Sequence, residues 1–103
     1  MTPLERDVAR RVVAFYETLG CHVYSTQDRR PRATRVTPGF PDLFVMRPTL
    51  GGWLHEVKTP TGKQTPEQIT FQATCGRCGV DYVVGGVLQA AEYLQRRGLV
   101  VSP

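Results

Sequence analysis

One lysine and two acidic residues lie in two apolar stretches, DLFVMR (42–47) and WLHEVKT (53–59). Because successive side chains of a strand point to opposite faces, Glu56 and Lys58 share a face. Asp42 begins the neighbouring stretch, so a hairpin would bring it to the same end of the sheet. Two carboxylates this close repel each other and are stable mainly when they share a cation. Oxygen donors favour Mg²⁺ or Mn²⁺ over zinc, and the pattern predicts such a site.

A simpler interpretation makes Glu56 and Lys58 a solvated pair on an exposed face, with Asp42 ending a turn after Pro41. That is the usual outcome for an isolated E-x-K on a strand. Here it must also account for the Pro-Asp dipeptide fourteen positions before Glu56 and for the T-P-E-Q helix start that follows at 65–68. We therefore favour the cation-site hypothesis.

The apolar spacing predicts one α/β domain spanning residues 1–103, with element order α-β-β-β-α-β-α. A helix between the third and fourth strands permits a parallel pairing there, so we expect a small mixed β-sheet flanked by helices. Trp53 and Phe40 are predicted core residues. The predicted elements are a helix from Pro3 that ends at Gly20, strands at 21–27, 42–47 and 53–59, a helix at 66–78, a strand at 80–86 and a helix at 87–97.

Composition narrows the class of protein. The chain has 103 residues and 41% apolar content, which suffices for one core. We expect no membrane span, since apolar runs are short, and a cytoplasmic location, since the first residues are charged and the three cysteines are an odd number. The net charge is +4, and eleven of the thirteen basic residues are arginine. This balance fits an anionic partner or simple solubility.

These residues together resemble the VRR-NUC domains of the PD-(D/E)xK nuclease superfamily. The similarity comprises G-x-P-D at 39–42, E-V-K at 56–58, G-K-x-x-P-E-Q at 62–68 and the order of elements, over about residues 4 to 86. The resemblance implies a restriction-endonuclease-like core and a stand-alone nuclease of the phage or bacterial type. It also implies a homodimer that acts on branched DNA such as four-way (Holliday) junctions.

The resemblance also implies roles for single residues. Asp42, Glu56 and the backbone carbonyl of Val57 would bind Mg²⁺ or Mn²⁺, and Lys58 would orient or help deprotonate the attacking water. Two further roles are less direct, because T-P-L-E at 2–5 and T-P-E-Q at 65–68 also fit the capping box of a helix start. Glu5 would bind a second metal or a metal-bound water, or cap its helix, or do both. Gln68 would belong to the catalytic site, or cap.

The expected DNA contacts lie in the connections. The segment DRRPRATR (28–35) contains four arginines that would bind phosphates without reading bases, and its alternative role is solubility. When Glu5, Asp42 and Glu56 are left out of the count, the chain has thirteen basic and six acidic residues. The predicted DNA-binding residues are Arg29, Arg30, Arg32, Arg35 and Lys63.

Three alternatives to the branched-DNA nuclease remain open at this point. One is a non-catalytic DNA-binding module of the same fold, although the acid, acid and lysine set argues against it. Another is a nuclease acting on flaps or nicked duplex. The third is a redox or zinc protein, suggested by C-x-x-C at Cys75 and Cys78. No second cysteine pair follows, and His55 lies on the strand face opposite Glu56, where a packing role is expected.

Overall fold

The computed structural model describes residues 1–26 and 37–101 of the chain. Within these two ranges, three helices and four strands follow one another in the predicted order. The sheet order is β1-β2-β3-β4, with the first two pairings antiparallel and the third parallel, which confirms the mixed sheet. The elements are α1 (Pro3–Thr18), β1 (His22–Ser25), β2 (Leu43–Arg47), β3 (Gly51–Val57), α2 (Pro66–Cys78), β4 (Tyr82–Gly85) and α3 (Val87–Arg96).

The β2–β3 hairpin begins its second strand two residues earlier than the apolar pattern indicates. Gly51 and Gly52 lie between the predicted strands 42–47 and 53–59, where the sequence PTLGG (48–52) predicts a turn, but they pair with Arg47 and Met46. A Cβ on Gly52 would lie 2.9 Å from the ring of Phe44, so the glycine leaves room for that ring to lie across the strand. The turn itself is therefore shorter than predicted and occupies residues 48–50.

The parallel pairing decides where the ends of the elements meet. It aligns Leu54 with Tyr82 and Val57 with Gly85, so β3 and β4 end at the same edge of the sheet. Because α2 and α3 follow these two strands, their first turns also lie near this edge. Ligands of open α/β sheets bind outside the carboxyl ends of the strands. This edge is therefore where a site is expected.

The core lies between the sheet and the helices α1 and α3. Trp53 is fully buried, as predicted, and its ring packs 5.0 Å from that of Tyr93. The prediction that Phe40 is a core residue is wrong. Phe40 is only half-buried, and its ring packs edge-on against that of Phe71 of α2 at 5.0 Å, outside the main core. None of the helices in the described ranges has the length and apolar character needed to cross a membrane.

A chain of hydrogen bonds runs through this apolar core. Trp53 Nε1 donates to the hydroxyl of Tyr16 at 3.2 Å, and this hydroxyl lies 2.7 Å from Nδ1 of His55. Nε2 of His55 lies 3.0 Å from the carbonyl oxygen of Gly85. Because a carbonyl only accepts, Nε2 carries the proton of the neutral ring and Nδ1 accepts from Tyr16. His55 is fully buried, which confirms its packing role.

Burial lowers the pKa of His55 from 6.5 to about 4, against the opposing effect of its bond to Gly85. The folded state therefore takes up this proton less readily than the unfolded state does. As pH falls from about 6.5 towards 4, His55 reduces the free energy of unfolding, and at neutral pH this loss is absent.

The substitution Tyr16→Phe tests the hydrogen-bonded chain. It leaves buried Trp53 Nε1 and His55 Nδ1 without their partner, so we expect the free energy of unfolding at pH 7.5 to fall by about 2 to 4 kcal/mol. Urea denaturation measures the change. Tyr24→Phe is the matched control, because Tyr24 is 52% exposed and its variant should lie within about 0.5 kcal/mol of the wild type. If the two variants were equally stable, the hydrogen bonds of Tyr16 would make no measurable contribution to the free energy of unfolding.

Candidate active site

Asp42 is held by contacts from two neighbouring segments. Its Oδ2 accepts the backbone N–H of Val57 on β3 at 2.8 Å. On the other side, the N–H of Thr26 donates to the carbonyl of Asp42 at 2.9 Å, and the hydroxyl of Thr26 bonds the carbonyl of Pro41. Continuing the β2–β3 register by one residue places Asp42 opposite Glu56. The hairpin therefore brings the two acids together, as the sequence indicates.

Glu56 is completely buried, and its two carboxylate oxygens have different surroundings. Oε1 accepts the hydroxyl of Tyr82 at 2.7 Å and the side-chain amide of Gln64 at 3.3 Å. Oε2 has no hydrogen-bond partner within the described residues. Among the described residues, the cationic group that pairs with Oε2 is Nζ of Lys58, at 3.9 Å. Since the Lys58 side chain is only 14% exposed, the solvated-pair interpretation is wrong.

The surroundings of Asp42 disfavour the negative charge on its carboxylate. The pKa of Asp42 is raised, first by burial and then by the nearby charges of Glu56 and Glu5. The hydrogen bond from Val57 and the ammonium of Lys58 lower it, but they do not outweigh burial. An additional cation beside Asp42 and Glu56 would relieve this imbalance.

The donors present suit Mg²⁺ or Mn²⁺. A buried carboxylate oxygen without a hydrogen bond has unused capacity to bind a cation, and Asp42 adds a second hard oxygen donor close by. In residues 1–26 and 37–101 no group of three or more His, Cys, Asp or Glu side chains could hold a metal. A cation here would therefore complete its coordination with backbone carbonyls and water, which Mg²⁺ commonly does. Cys75 is buried, and Cys78 is exposed.

Lys58 is fixed through its backbone as well as its ion pair. Its N–H donates to the carbonyl of Gly85 at 3.2 Å, and the same carbonyl accepts from His55. Gly85 has a φ of +133°, and a Cβ there would lie 2.5 Å from Oε1 of Gln89. Only glycine fits this position without displacing Gln89, whose Oε1 also accepts the N–H of Gly86.

Two grooves open at the surface, and residues of α1 line both of them. The first, about 610 Å³, is lined by Lys58, Arg11 of α1 and the first residues of α3. The second, about 540 Å³, is lined by Asp42 together with Arg6 and Arg10. Arg10 and Arg11 both pair with Asp7, whereas Arg6 has no ion pair among the described residues. Arginines of α1 therefore line both the groove that contains Lys58 and the groove that contains Asp42.

Gln68 and Glu5 make the capping contacts that the sequence offers as their alternative roles. Oε1 of Gln68 accepts the N–H of Thr65 at 2.8 Å, and the Thr65 hydroxyl accepts the N–H of Gln68. Glu5 and Thr2 form the same box at the start of α1. Glu5 still lies close enough to Asp42 to raise its pKa. Site roles for Gln68 and Glu5 stay predictions, as does the Val57 carbonyl as a metal ligand.

Sequence reasoning missed the side chains that contact Glu56 most closely. Tyr82 comes from β4, and Gln64 comes from the loop before α2. Gln64 also donates a hydrogen bond of 2.8 Å to Gln72, which lies on α2. The sequence carries no signal for Tyr82, because its place beside Glu56 depends on the parallel register, which pairs it with Leu54 on the strand face of Glu56. Of the predicted DNA contacts, Lys63 is exposed in the loop before α2. Arg29, Arg30, Arg32 and Arg35 lie outside the described residues.

Comparison with known proteins agrees with this arrangement. No protein-family model and no curated protein matches the chain. A solved structure described as a VRR_NUC domain matches with a TM-score of 0.67 and 25% sequence identity, covering 92% of this chain and 97% of that chain. The chain therefore has the VRR-NUC fold, with its restriction-endonuclease-like mixed sheet, and the resemblance drawn from the sequence is confirmed. The fold is that of a nuclease-type domain.

Gly39 positions the segment that carries Asp42 against α2. It has a φ of +87°, and a Cβ there would lie 2.5 Å from the backbone carbonyl oxygen of Glu67 in the first turn of α2. A side chain at this position therefore requires both a left-handed backbone and a shift of α2 away from the Pro41–Asp42 segment.

We expect Gly39→Ala to lower the free energy of unfolding by about 1 to 3 kcal/mol more than Gly20→Ala does. Gly20 is the matched control because its φ is +81° and nothing lies within 4 Å of a Cβ there. The two variants thus share the backbone strain and differ in the steric clash. Urea denaturation measures both, and equal losses would show that the contact with α2 is unimportant.

Proposed function

We propose that the protein is a metal-dependent, structure-selective DNA endonuclease that hydrolyses phosphodiester bonds, with branched DNA such as four-way junctions as its substrate. The observation that carries the proposal is Oε2 of Glu56, a buried carboxylate oxygen that accepts no hydrogen bond from the residues that the structure describes. It lies 3.9 Å from Nζ of Lys58, and the strand register places Asp42 opposite Glu56. Such an arrangement is costly in a structural core and useful at a cation site. The VRR-NUC fold supports the same conclusion.

In this proposal Asp42, Glu56 and the Val57 carbonyl hold Mg²⁺ or Mn²⁺. The cation supplies Lewis-acid polarisation of the phosphate and lowers the pKa of a bound water. The bond from Val57 N–H to Asp42 fixes the direction of that carboxylate. Lys58, anchored at Gly85 and nearly buried, is placed to orient the attacking water and to stabilise the charge that develops on the phosphate.

In this proposal the arginines that line the two grooves contact phosphates of the DNA. Arg6 and Arg10 line the groove that contains Asp42, and Arg11 lines the groove that contains Lys58. Arginines that bind only phosphates respond to the shape of the backbone rather than to base sequence, which suits a branched substrate. One chain carries one such site, so symmetric cleavage of two strands requires a homodimer with two-fold symmetry.

Asp42→Asn and Glu56→Gln test the metal site. With Mg²⁺ and a labelled four-way junction, we expect each variant to cleave about 10²-fold or more slowly than the wild type, because the cation contributes several kcal/mol to such reactions. Linear, nicked and flapped duplexes of the same sequence serve as comparison substrates, and a preference for one of them would redirect the substrate assignment.

Metal binding itself is checked by thermal unfolding with and without Mg²⁺. A cation that binds only the folded state adds about 2.7 kcal/mol at 100 times its Kd, so the melting temperature of the wild type should rise and those of both variants should not. Undiminished cleavage by either variant would refute the assignment of that carboxylate.

Lys58→Ala tests whether Lys58 acts in the chemical step. General acid-base assistance is typically worth about 10²- to 10⁴-fold, so cleavage should slow at least about a hundredfold while junction affinity stays near that of the wild type. Lys63→Ala is the charge-matched control, because Lys63 is exposed and its loss should weaken binding modestly without slowing cleavage at saturation. If Lys58→Ala reduced binding and cleavage together, Lys58 would be a phosphate clamp.

A further inference from the structure

The carboxylate of Glu56 is held so that only one of its oxygens can readily meet a cation. Oε1 already accepts two hydrogen bonds, from Tyr82 at 2.7 Å and Gln64 at 3.3 Å. Oε2 accepts none within the described residues and lies towards Lys58. Rotation of the carboxylate to offer both oxygens would break the Tyr82 bond in a fully buried environment.

The difference between one and two available oxygens matters for cation choice. Mg²⁺ requires near-octahedral coordination at short distances and accepts carboxylates through single oxygens. Ca²⁺ takes six to eight ligands in flexible geometry and commonly binds both oxygens of one carboxylate. A carboxylate confined to one oxygen therefore favours the smaller cation.

We propose that Tyr82, assisted by Gln64 and Gln72, is the residue that determines metal specificity, because it confines Glu56 to binding through Oε2 and so selects Mg²⁺ over Ca²⁺. This inference rests on the proposed function, since it assumes a divalent cation at Asp42 and Glu56. Tyr82 contacts Glu56 and is a positioning residue. It does not itself bind the cation.

Two features make Tyr82 the main hydrogen-bond partner of Glu56. Its hydrogen bond is the shorter of the two, and it comes from β4, whose pairing with β3 fixes the hydroxyl relative to Glu56. Gln64 lies in a loop, but its amide is held by a 2.8 Å bond to Gln72 on α2. The Tyr82 hydroxyl is the donor in its bond to Glu56, because a carboxylate oxygen only accepts.

Isothermal titration of metal-free protein with Mg²⁺ and with Ca²⁺ tests the proposal without relying on cleavage. Loss of a hydrogen-bond partner of a metal ligand typically changes affinity about 10- to 100-fold. In Tyr82→Phe we expect Mg²⁺ affinity to fall within this range and Ca²⁺ affinity to be kept or increased. The ratio of the two affinities should therefore shift towards Ca²⁺ by about tenfold or more.

Tyr93→Phe is the matched control. Tyr93 also donates a 2.7 Å hydrogen bond to a carboxylate, that of Asp81, which lies outside the site. Tyr93→Phe also loses one hydroxyl group, and it should keep the wild-type ratio of Mg²⁺ affinity to Ca²⁺ affinity. Gln64→Leu is a second test that leaves Tyr82 in place, and we expect a smaller shift in the same direction because the bond it removes is longer.

Three results would overturn the inference. A ratio in Tyr82→Phe that is unchanged while the wild type binds Mg²⁺ would refute the role of Tyr82 and leave the proposed function standing. An equal shift in Tyr93→Phe would show that the effect belongs to general loss of stability. Failure of the wild type to bind either cation would refute the metal site itself, and with it both the proposed function and this inference.

Discussion

The buried carboxylate of Glu56 is the group on which the arrangement of the site depends. Burying a charge without full hydrogen bonding is costly, and three separate segments contribute to offsetting that cost. Tyr82 comes from β4, Gln64 from the loop before α2, and Lys58 from the residue after β3. These segments meet because β3 and β4 are parallel and end at one edge. The crossover helix that makes them parallel is thus also a requirement of the site.

The two faces of β3 connect this site to the core. Glu56 and Lys58 share one strand face, and Lys58 lines the first groove. Trp53 and His55 project into the core, where Tyr16 links them by hydrogen bonds. Both sides end at one atom, the carbonyl oxygen of Gly85, which accepts from His55 Nε2 and from the N–H of Lys58. The position of Lys58 is therefore tied to buried packing and not only to its ion pair. This explains why a polar chain is retained in an otherwise apolar core.

The sequence was sufficient for the parts of the fold that depend on local pattern. Element order, both capping boxes and the convergence of Asp42 with Glu56 follow from periodicity and strand alternation. Tyr82, Gln64 and Gln72 could not be found this way, because their contacts with Glu56 depend on the parallel register and on loop geometry. Phe40 was wrongly predicted as a core residue because the ring that it packs against, that of Phe71, lies on α2 outside the main core.

An acidic site in a basic chain raises a question of approach, since two carboxylates repel the phosphate that they are proposed to act on. In the proposed function Arg6 offsets part of this repulsion, whereas Arg10 and Arg11 share the charge of Asp7. The first turns of α2 and α3 add the positive ends of their dipoles at the same edge. These groups would attract DNA but would not neutralise Glu56, whose Oε2 is buried. In the proposed function only a cation bound directly to that oxygen does so. Metal and DNA would then each favour the binding of the other, because such coupling is reciprocal.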